Sequence, residues 1–407
     1  MLRHPFAHTS SRQMPSWLVI ALLVLPWVHP WAPGPQSNTV PLLIGWGSLA
    51  TLLAVKRLPS GLELAQAWTI AALIGSAMGL LQYFGEAAHL GGWVHVPAYL
   101  GDAVGNLRQR NQLATLTSLG TVAVLWWQGQ GLRSGQAAWM LALLAAGNAA
   151  TGSRTGLLQW LILPALAGLW QMASQPRRPV WSWPLLLWAL GAYLLASLSL
   201  PHALASWRGI GVDNAMARMG ALGGCGSRGV LWGNVLHLIG QKPWTGWGWN
   251  ELKYAHYMAN YPGTRFCDIL GNAHNLPLHL AFAFGVPLAL AVCLGTLAIV
   301  LRARPWRLTQ LHDSLAWSVL AMIVLHSLLE YPLWYSPFQL ALLWSIVLLW
   351  PTGHTAMARL RSGLQALGTG SLCLIALIAW DYQRVRQIYL PPVLRSTLWQ
   401  DDPWGAA

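Results

Sequence analysis

The chain has 407 residues, of which 55% are hydrophobic and only 9% are charged. Soluble domains carry about 25% charged residues, so a soluble fold could not bury this much apolar surface. The bilayer must therefore solvate most of the chain. The 27 Trp residues agree with this, because Trp favours the two membrane–water interfaces. The net charge of +13 does not indicate nucleic-acid binding, since no soluble basic patch is interleaved with aromatic residues.

The N-terminus carries Arg3 and Arg12 ahead of an apolar run at 17–31, a pattern that signal peptides share. Further apolar segments follow at once, and no small-residue cleavage site lies near Pro30–Pro35. We therefore expect a retained first transmembrane helix.

Eleven apolar runs are long enough to predict spanning helices. They lie near 17–32, 40–55, 66–84, 112–127, 137–150, 155–172, 182–200, 275–301, 314–329, 335–350 and 363–380. The sequence thus predicts an all-α polytopic membrane protein with about 11–12 transmembrane helices and one long, partly helical loop. The predicted regions are N-terminal helices at 1–200, a periplasmic catalytic loop at 201–274, C-terminal helices at 275–380, and the periplasmic start of a C-terminal region at 381–407.

The distribution of basic residues predicts the orientation of the chain. With the N-terminus in the cytoplasm, every inside segment is basic, through Arg3, Arg12, Lys56, Arg57, Arg133, Arg177, Arg178, Arg302, Arg304, Arg307, Arg359 and Arg361. The short outside loop at 33–39 has no charge. This follows the positive-inside rule. The 201–274 loop then lies outside, on the periplasmic face of a bacterial inner membrane.

The 201–274 loop has local structure of its own. Ser227–Gly240 is amphipathic and begins with a capping serine, so we expect a helix there. A second helix is expected within Glu251–Tyr261, before Pro262. Cys225 and Cys267 both lie in the loop, and an oxidising periplasm permits a disulfide between them. A metal site at this pair is disfavoured, because no CxxC or His/Cys spacing accompanies it.

Arginines on the outside face suggest an anionic, lipid-linked ligand, because guanidinium groups bind phosphate in a bidentate manner. The candidates are Arg108, Arg110, Arg154 and Arg228. Any one of them could instead snorkel to the interface or cap a helix. Their joint presence on the face that should carry fewer basic residues favours ligand binding.

His274 is the candidate base, at the point where the polar loop meets an apolar helix. A neutral imidazole can take a proton from an alcohol near neutral pH. The alternative is a histidine that only caps the helix, and His279 is the second candidate. Glu330 lies at the outer end of helix 314–329, where it could orient His274, bind an acceptor or simply end the helix.

The acidic residues exclude some mechanisms. Only 11 Asp and Glu are present, without a DxD motif. Mg²⁺ and Mn²⁺ prefer carboxylate oxygens, so we expect metal-independent chemistry without a cofactor. Glycosidase chemistry with paired carboxylates lacks its pair.

Several motifs resemble the membrane superfamily of ligases and polymerases that includes the O-antigen ligases. They are Ser227-Arg228-Gly229-Val230-Leu231-Trp232, Pro243-Trp244-Thr245-Gly246-Trp247-Gly248, and His274-Asn275 followed by Gly285. Two further stretches resemble the pilin-glycosylation ligases, a protein O-oligosaccharyltransferase branch, namely Gly105-Asn106-Leu107-Arg108-Gln109-Arg110-Asn111-Gln112 and Asp381-Tyr382-Gln383-Arg384-Val385.

The resemblance implies an inverting transfer of an oligosaccharide, en bloc, from undecaprenyl diphosphate to a hydroxyl of a pilin-like protein or of lipid A–core. His274 would be the base, and Arg228 and Arg154 would hold the diphosphate. Arg108, Arg110, Asn275 and Glu330 complete the expected substrate contacts. Members of the protein-glycosylating branch usually continue into a larger soluble C-terminal region, so 381–407 is expected to be the start of a truncated one.

Two other functions compete with this one. A transporter for the same lipid-linked glycan would place ionisable residues at the membrane midplane, and the apolar runs are almost free of them. A repeat-unit polymerase shares the superfamily and would use a lipid-linked acceptor. The short signature around Arg110 favours the ligase over the polymerase.

Overall fold

The computed structural model describes residues 14–173, 180–220, 224–307, 311–350 and 354–400. Arg3, Arg12, Arg177, Arg178, the side chains of Arg359 and Arg361, and residues 401–407 lie outside the described part. Regular structure within these ranges is helical. The α-helices are α1 (Ser16–Val28), α2 (Thr39–Ala54), α3 (Gly61–Phe84), α4 (Arg110–Gly129), α5 (Ser134–Thr151), α6 (Arg154–Ala173), α7 (Trp183–Arg208), α8 (Ala215–Gly220), α9 (Arg228–Gln241), α10 (Leu252–Met258), α11 (Leu276–Phe284), α12 (Val286–Ala303), α13 (Leu311–Leu329), α14 (Ser336–Leu349) and α15 (His354–Val385).

Six of the described helices are long and apolar enough to cross a membrane. They are α3, α6, α7 and α12, together with His312–Leu329 of α13 and the segment Gly363–Tyr389, which includes most of α15. Helices α1, α2 and α14 are apolar but shorter. The chain is therefore an all-α polytopic membrane protein, as the composition predicted.

Each of the eleven predicted segments contains a helix, and two boundaries differ from the prediction. The segment 275–301 is not one helix, because Gly285 separates α11 from α12 with a φ of 90°. Helix α7 continues through Pro201 to Arg208, beyond the predicted spanning segment 182–200. A proline inside an apolar helix in lipid is tolerated where neighbouring groups satisfy the freed backbone.

Helix α4 lies at the centre of the bundle, where every residue from 112 to 126 is buried. Small residues let its neighbours approach closely, as is common between membrane helices. A Cβ on Gly120 of α4 would lie 2.4 Å from the Cβ of Ala72 on α3. A Cβ on Gly147 of α5 would lie 2.3 Å from Oγ of Ser76 on α3. This packing lets α3 approach both α4 and α5 closely.

The loop has a hydrophobic core separate from that of the bundle. This core includes Leu231 and Leu238 of α9, Leu252 of α10 and Phe282 of α11. Helix α9 begins as predicted, because the hydroxyl of Ser227 accepts a hydrogen bond from the amide of Val230. Helix α10 corresponds to the second predicted helix. The core ties the loop to α11 and thereby places both beside the bundle.

The motif at 243–248 packs against the break between α11 and α12. Trp247 N–H donates to Phe282 C=O at 2.8 Å, and Val286 N–H donates to Pro243 C=O at 2.8 Å. A Cβ on Gly285 would lie 2.2 Å from the carbonyl oxygen of Trp244. Gly285 is therefore required both by its positive φ and by this close approach.

Candidate active site

Glu330 lies at the centre of a polar cluster immediately after α13. Its side chain is only 5% exposed and forms an ion pair with Arg228. Its Oε2 accepts from Nδ1 of His274 at 2.6 Å, and its Oε1 accepts from Nδ2 of Asn111 at 2.8 Å. One buried carboxylate therefore joins the loop to two helices of the bundle.

His274 is held in a single orientation. Its backbone has a φ of 50°, and its amide donates to Oδ1 of Asn272 at 2.9 Å. Its ring meets the ring of Tyr331 edge-on, with centroids 4.9 Å apart. Because the carboxylate of Glu330 can only accept, Nδ1 carries the proton and Nε2 keeps its lone pair. Nε2 can thus act as a base.

The electrostatics of the cluster favour a charged Glu330. Burial alone would raise the pKa of this carboxyl. The hydrogen bonds from His274 and Arg228 and the positive charge of Arg228 outweigh burial and hold the pKa of Glu330 below its usual range. Burial and the charge of Glu330 raise the pKa of Tyr331, so its phenol stays protonated.

Asn111 extends the cluster to α6. Its Oδ1 accepts from the hydroxyl of Ser153 at 2.6 Å. Ser153 in turn accepts from the amide of Gly156 at 3.0 Å and so caps the start of α6. The left-handed Gly152, with a φ of 56°, makes the tight turn from α5 into this cap. The starts of α4 and α6 are thereby fixed relative to Glu330.

A cavity of about 510 Å³ lies beside the cluster. Four arginines line it, namely Arg110, Arg154, Arg218 and Arg228. Three of the described helices, α4, α6 and α9, begin at this cavity with an arginine as their first residue. Helix N-termini carry partial positive charge and free N–H groups, so they add to the attraction for an anion.

The positive charge of the cavity is only partly balanced. Asp102 pairs with Arg110 at 2.6 Å, and Glu330 pairs with Arg228. Within the described ranges, no acidic side chain forms an ion pair with Arg154 or Arg218. Two uncompensated guanidinium groups at helix ends suit a ligand with two or more negative charges, such as a diphosphate.

The structure brings most of the predicted site residues together. Arg110, Arg154 and Arg228 line one cavity, and His274 and Glu330 are directly bonded. Arg108 is separate from them, because it lines a second cavity and donates to the carbonyl of Pro30 at 3.0 Å. The sequence left open whether the arginines converge, and the structure brings together Arg110, Arg154 and Arg228 but not Arg108. A role for Arg108 in binding the substrate stays a prediction.

Two other predicted residues serve the fold. Asn275 caps α11 by accepting from the amide of Leu278 at 3.0 Å, and it donates to the carbonyl of Leu328 at 2.9 Å. Both ends of its amide are thus used within the protein. His279, the second candidate base, is buried and lies edge-on to the rings of Trp249 and Trp334. In this position His279 packs against these two rings.

Cys225 and Cys267 form a disulfide, with Cα atoms 5.3 Å apart. Cys225 lies just before α9, whose first residue is Arg228, and Cys267 precedes His274 by one short segment. The bond therefore links the two parts of the loop that hold Glu330.

Sequence reasoning missed three residues of the cluster and cavity, namely Asn111, Ser153 and Arg218. Asn111 and Ser153 adjoin predicted arginines, so their positions in those motifs carried a signal. Arg218 lies on the short helix α8 among other loop cations, and nothing local distinguishes it. Only the tertiary packing shows it beside Gly152.

The fold is that of an all-α polytopic membrane protein, in which the half-buried His274 is paired with the buried carboxylate of Glu330 beside an arginine-lined cavity. Comparison with known families agrees with this class. Residues 103–127 match a family described as protein glycosylation ligase. Residues 139–293 match O-antigen ligase, and residues 314–405 match the C-terminal region of a virulence factor membrane-bound polymerase. Every predicted site residue lies within one of these matches.

A curated relative is the general O-oligosaccharyltransferase of Acinetobacter baylyi (strain ATCC 33305 / BD413 / ADP1). The two proteins are 25% identical over 351 residues, which cover 83% of this chain and 59% of the relative. The present chain thus spans less than two thirds of that protein. These matches and this relative show that the chain is similar to the protein-glycosylation ligases and O-antigen ligases.

Proposed function

We propose that this protein is a glycosyltransferase that moves an oligosaccharide en bloc from undecaprenyl diphosphate to a hydroxyl of a periplasmic, pilin-like protein. The observation that carries the proposal is the pairing of His274 with Glu330 at the edge of the arginine cavity. A base for the acceptor and an anion site for the leaving group lie side by side, as such a transfer requires.

The reaction is an inverting displacement at the anomeric carbon. Nε2 of His274 takes the proton of the acceptor hydroxyl as its oxygen bonds to the anomeric carbon. The bond from that carbon to the diphosphate oxygen breaks, and its electron pair leaves on undecaprenyl diphosphate. Arg154, Arg218 and Arg228 stabilise the charge of this leaving group. Glu330 stabilises the imidazolium, which then loses its proton to water.

The proposal places the cavity on the periplasmic face of the inner membrane, the side on which the positive-inside rule predicts the 201–274 loop. It needs no metal ion, since arginines supply the positive charge and carboxylates are scarce in the chain. A protein acceptor is favoured by the match to protein glycosylation ligases and by the printed name of the Acinetobacter relative.

A repeat-unit polymerase is the second candidate, favoured by the match of residues 314–405 to a membrane-bound polymerase. The same base and arginines would then serve a lipid-linked acceptor. Transfer to lipid A–core is the corresponding alternative for the O-antigen ligase match.

A purified reaction separates these functions. Undecaprenyl-diphosphate-linked glycan is supplied with a pilin-like protein, with lipid A–core, or without any added acceptor, each in the presence and absence of a chelator. We expect glycan on the protein and equal rates with chelator. If the glycan appears on lipid A–core instead, the acceptor is lipid A–core. If longer lipid-linked chains form instead, the protein is a polymerase. Loss of transfer with chelator would overturn the metal-free mechanism.

A further inference from the structure

His326 is a buried histidine to which the proposed function assigns no role. It is the only ionisable residue of the apolar run 314–329, and it is 1% exposed. An ionisable side chain within a membrane-spanning helix is costly and marks a candidate functional residue. His326 lies in the last turn of α13, and its carbonyl accepts from the amide of Glu330 at 2.7 Å. It therefore precedes, by one helical turn, the carboxylate that orients His274.

The ring of His326 forms a hydrogen bond across to α4, with its Nδ1 2.9 Å from Oγ1 of Thr115. Thr115 follows Asn111 by one turn of α4, and Asn111 donates to Glu330 at 2.8 Å. Two hydrogen bonds, one turn apart, thus join the start of α4 to the end of α13. We call the pair of Asn111 with Glu330 the outer bond and the pair of Thr115 with His326 the inner bond.

The inner bond is supported from a third helix. Nε2 of Gln159, on α6, donates to Oγ1 of Thr115 at 2.9 Å and to the carbonyl of Met322 on α13 at 3.1 Å. The side chains of Thr115 and Gln159 are fully buried. Because water cannot replace a partner lost there, breaking the inner bond leaves a polar group buried and unpaired. The last turn of α13 is therefore held against α4 and α6 at the inner bond.

A comparable hydrogen bond lies deeper in the bundle. Nε1 of Trp170, on α6, donates to Oγ of Ser318 on α13 at 2.8 Å, and both side chains are buried. Ser318 precedes His326 by about two turns of helix. It shares with His326 the joining of α13 to its neighbours, but it does not lie next to Glu330. A residue that only stabilises the bundle should therefore behave like Ser318.

We propose that His326 is a positioning residue for glycan transfer, which acts through Glu330. The inference rests on the proposed function. Helix ends fray, and Glu330 directly follows the last residue of α13. The inner bond keeps this end in register with α4, so that Glu330 reaches both His274 and Asn111. Without the inner bond the last turn of α13 can shift, and a displacement of about 1 Å can lower a rate about 10²-fold.

The first test breaks the inner bond from either side. His326→Phe keeps a ring and Thr115→Val keeps a branched side chain, but neither can form the bond. We expect each to lower kcat about tenfold or more. His326→Asn, whose amide has a hydrogen-bonding atom at the branch position of Nδ1, should restore most of the rate. Ser318→Ala is the matched control, because it breaks a buried bond of the same helix. It should lower thermal stability and leave kcat nearly unchanged.

The second test combines His326→Phe with Glu330→Gln. If His326 acts through Glu330, His326→Phe should change kcat less than about threefold in the Glu330→Gln background, because the carboxylate is already gone. Should His326→Phe fail to fold, Thr115→Val completes the same cycle.

Three outcomes would overturn the inference. The loss of kcat could be equal in both backgrounds, the variants without the inner bond could transfer glycan at a normal rate, or Ser318→Ala could lose as much kcat as His326→Phe. Failure of the proposed function looks different, because the unsubstituted protein would then transfer no glycan.

Discussion

Oε2 of Glu330 lies 2.6 Å from Nδ1 of His274, while the same carboxylate pairs with Arg228. A single acidic side chain thus orients the proposed base and anchors an arginine of the anion cavity. Because Glu330 directly follows a bundle helix and the other two residues belong to the loop, these two bonds also fix the loop on the bundle. Glu330 is a positioning residue, since it acts through His274.

Glu330→Gln should lower kcat about 10²–10⁴-fold with a smaller change in donor KM. Glutamine keeps the shape of the side chain but cannot stabilise the imidazolium. Steady-state rates with lipid-linked donor measure this. Glu86→Gln is the matched control, because Glu86 pairs with Arg208 and does not line the cavity. An unchanged kcat in Glu330→Gln would remove the positioning role.

Arg218→Ala and Arg154→Ala should each raise donor KM about 10–100-fold, the effect of losing one charge-assisted hydrogen bond to phosphate. Neither arginine has an acidic partner within the described ranges, so each is available to the ligand. Lys253→Ala serves as the control, since this exposed loop cation lies outside the cavity. If all three variants gave the same donor KM as the unsubstituted protein, the diphosphate site would lie elsewhere.

The sequence predicted the helices and singled out His274 and Glu330, and the structure shows the physical reasons. Long apolar runs can only be helices in lipid, so the eleven segments were found. His274 was singled out because it lies where the polar loop meets an apolar helix, and Glu330 because the chain has only 11 acidic residues and this one ends an apolar run. The break at Gly285 was missed, since it depends on Pro243 and Trp244, about forty residues earlier in the chain.

The remaining parts of the site depend on tertiary packing. Arg108 and Arg110 are two residues apart, yet they line different cavities, because Arg108 takes a left-handed conformation with a φ of 61° just before α4 begins. Arg218 joins the cavity only because α8 packs beside Gly152. No local pattern distinguishes either outcome.

Reducing the Cys225–Cys267 bond, or replacing both cysteines with serine, should lower thermal stability and transfer rate together. The bond joins two cysteines 42 positions apart in the chain, and such cross-links contribute about 2–4 kcal/mol. The affected part holds Arg228 near Glu330. Thermal unfolding and rate are compared with and without reductant. The stability and transfer rate of the double serine variant should not change with reductant. If this variant transferred glycan at the rate of the unsubstituted protein, the disulfide would not be needed to hold Arg228 near Glu330.

The pairing of Glu330 should make the protein less stable in acid. Because its pKa is lowered from an ordinary value of 4.5, its contribution is complete above that value and is lost as the pH falls through the lowered pKa. Melting temperatures of the unsubstituted protein and Glu330→Gln, measured from about pH 6 to about pH 3, should converge at the acid end. If the difference between the two melting temperatures stayed constant over this range, the ion pair of Glu330 would not contribute to stability.

The central claim is that His274 activates the acceptor hydroxyl, and His274→Ala tests it most directly. The variant is assayed for glycan transfer to the acceptor that the unsubstituted protein uses, and separately for binding of undecaprenyl diphosphate. His237→Ala, a change at a half-buried loop histidine that does not line the arginine cavity, is the control. We predict transfer reduced at least about 10²-fold with lipid binding intact and the control fully active. Transfer at a near-normal rate by His274→Ala would contradict the account.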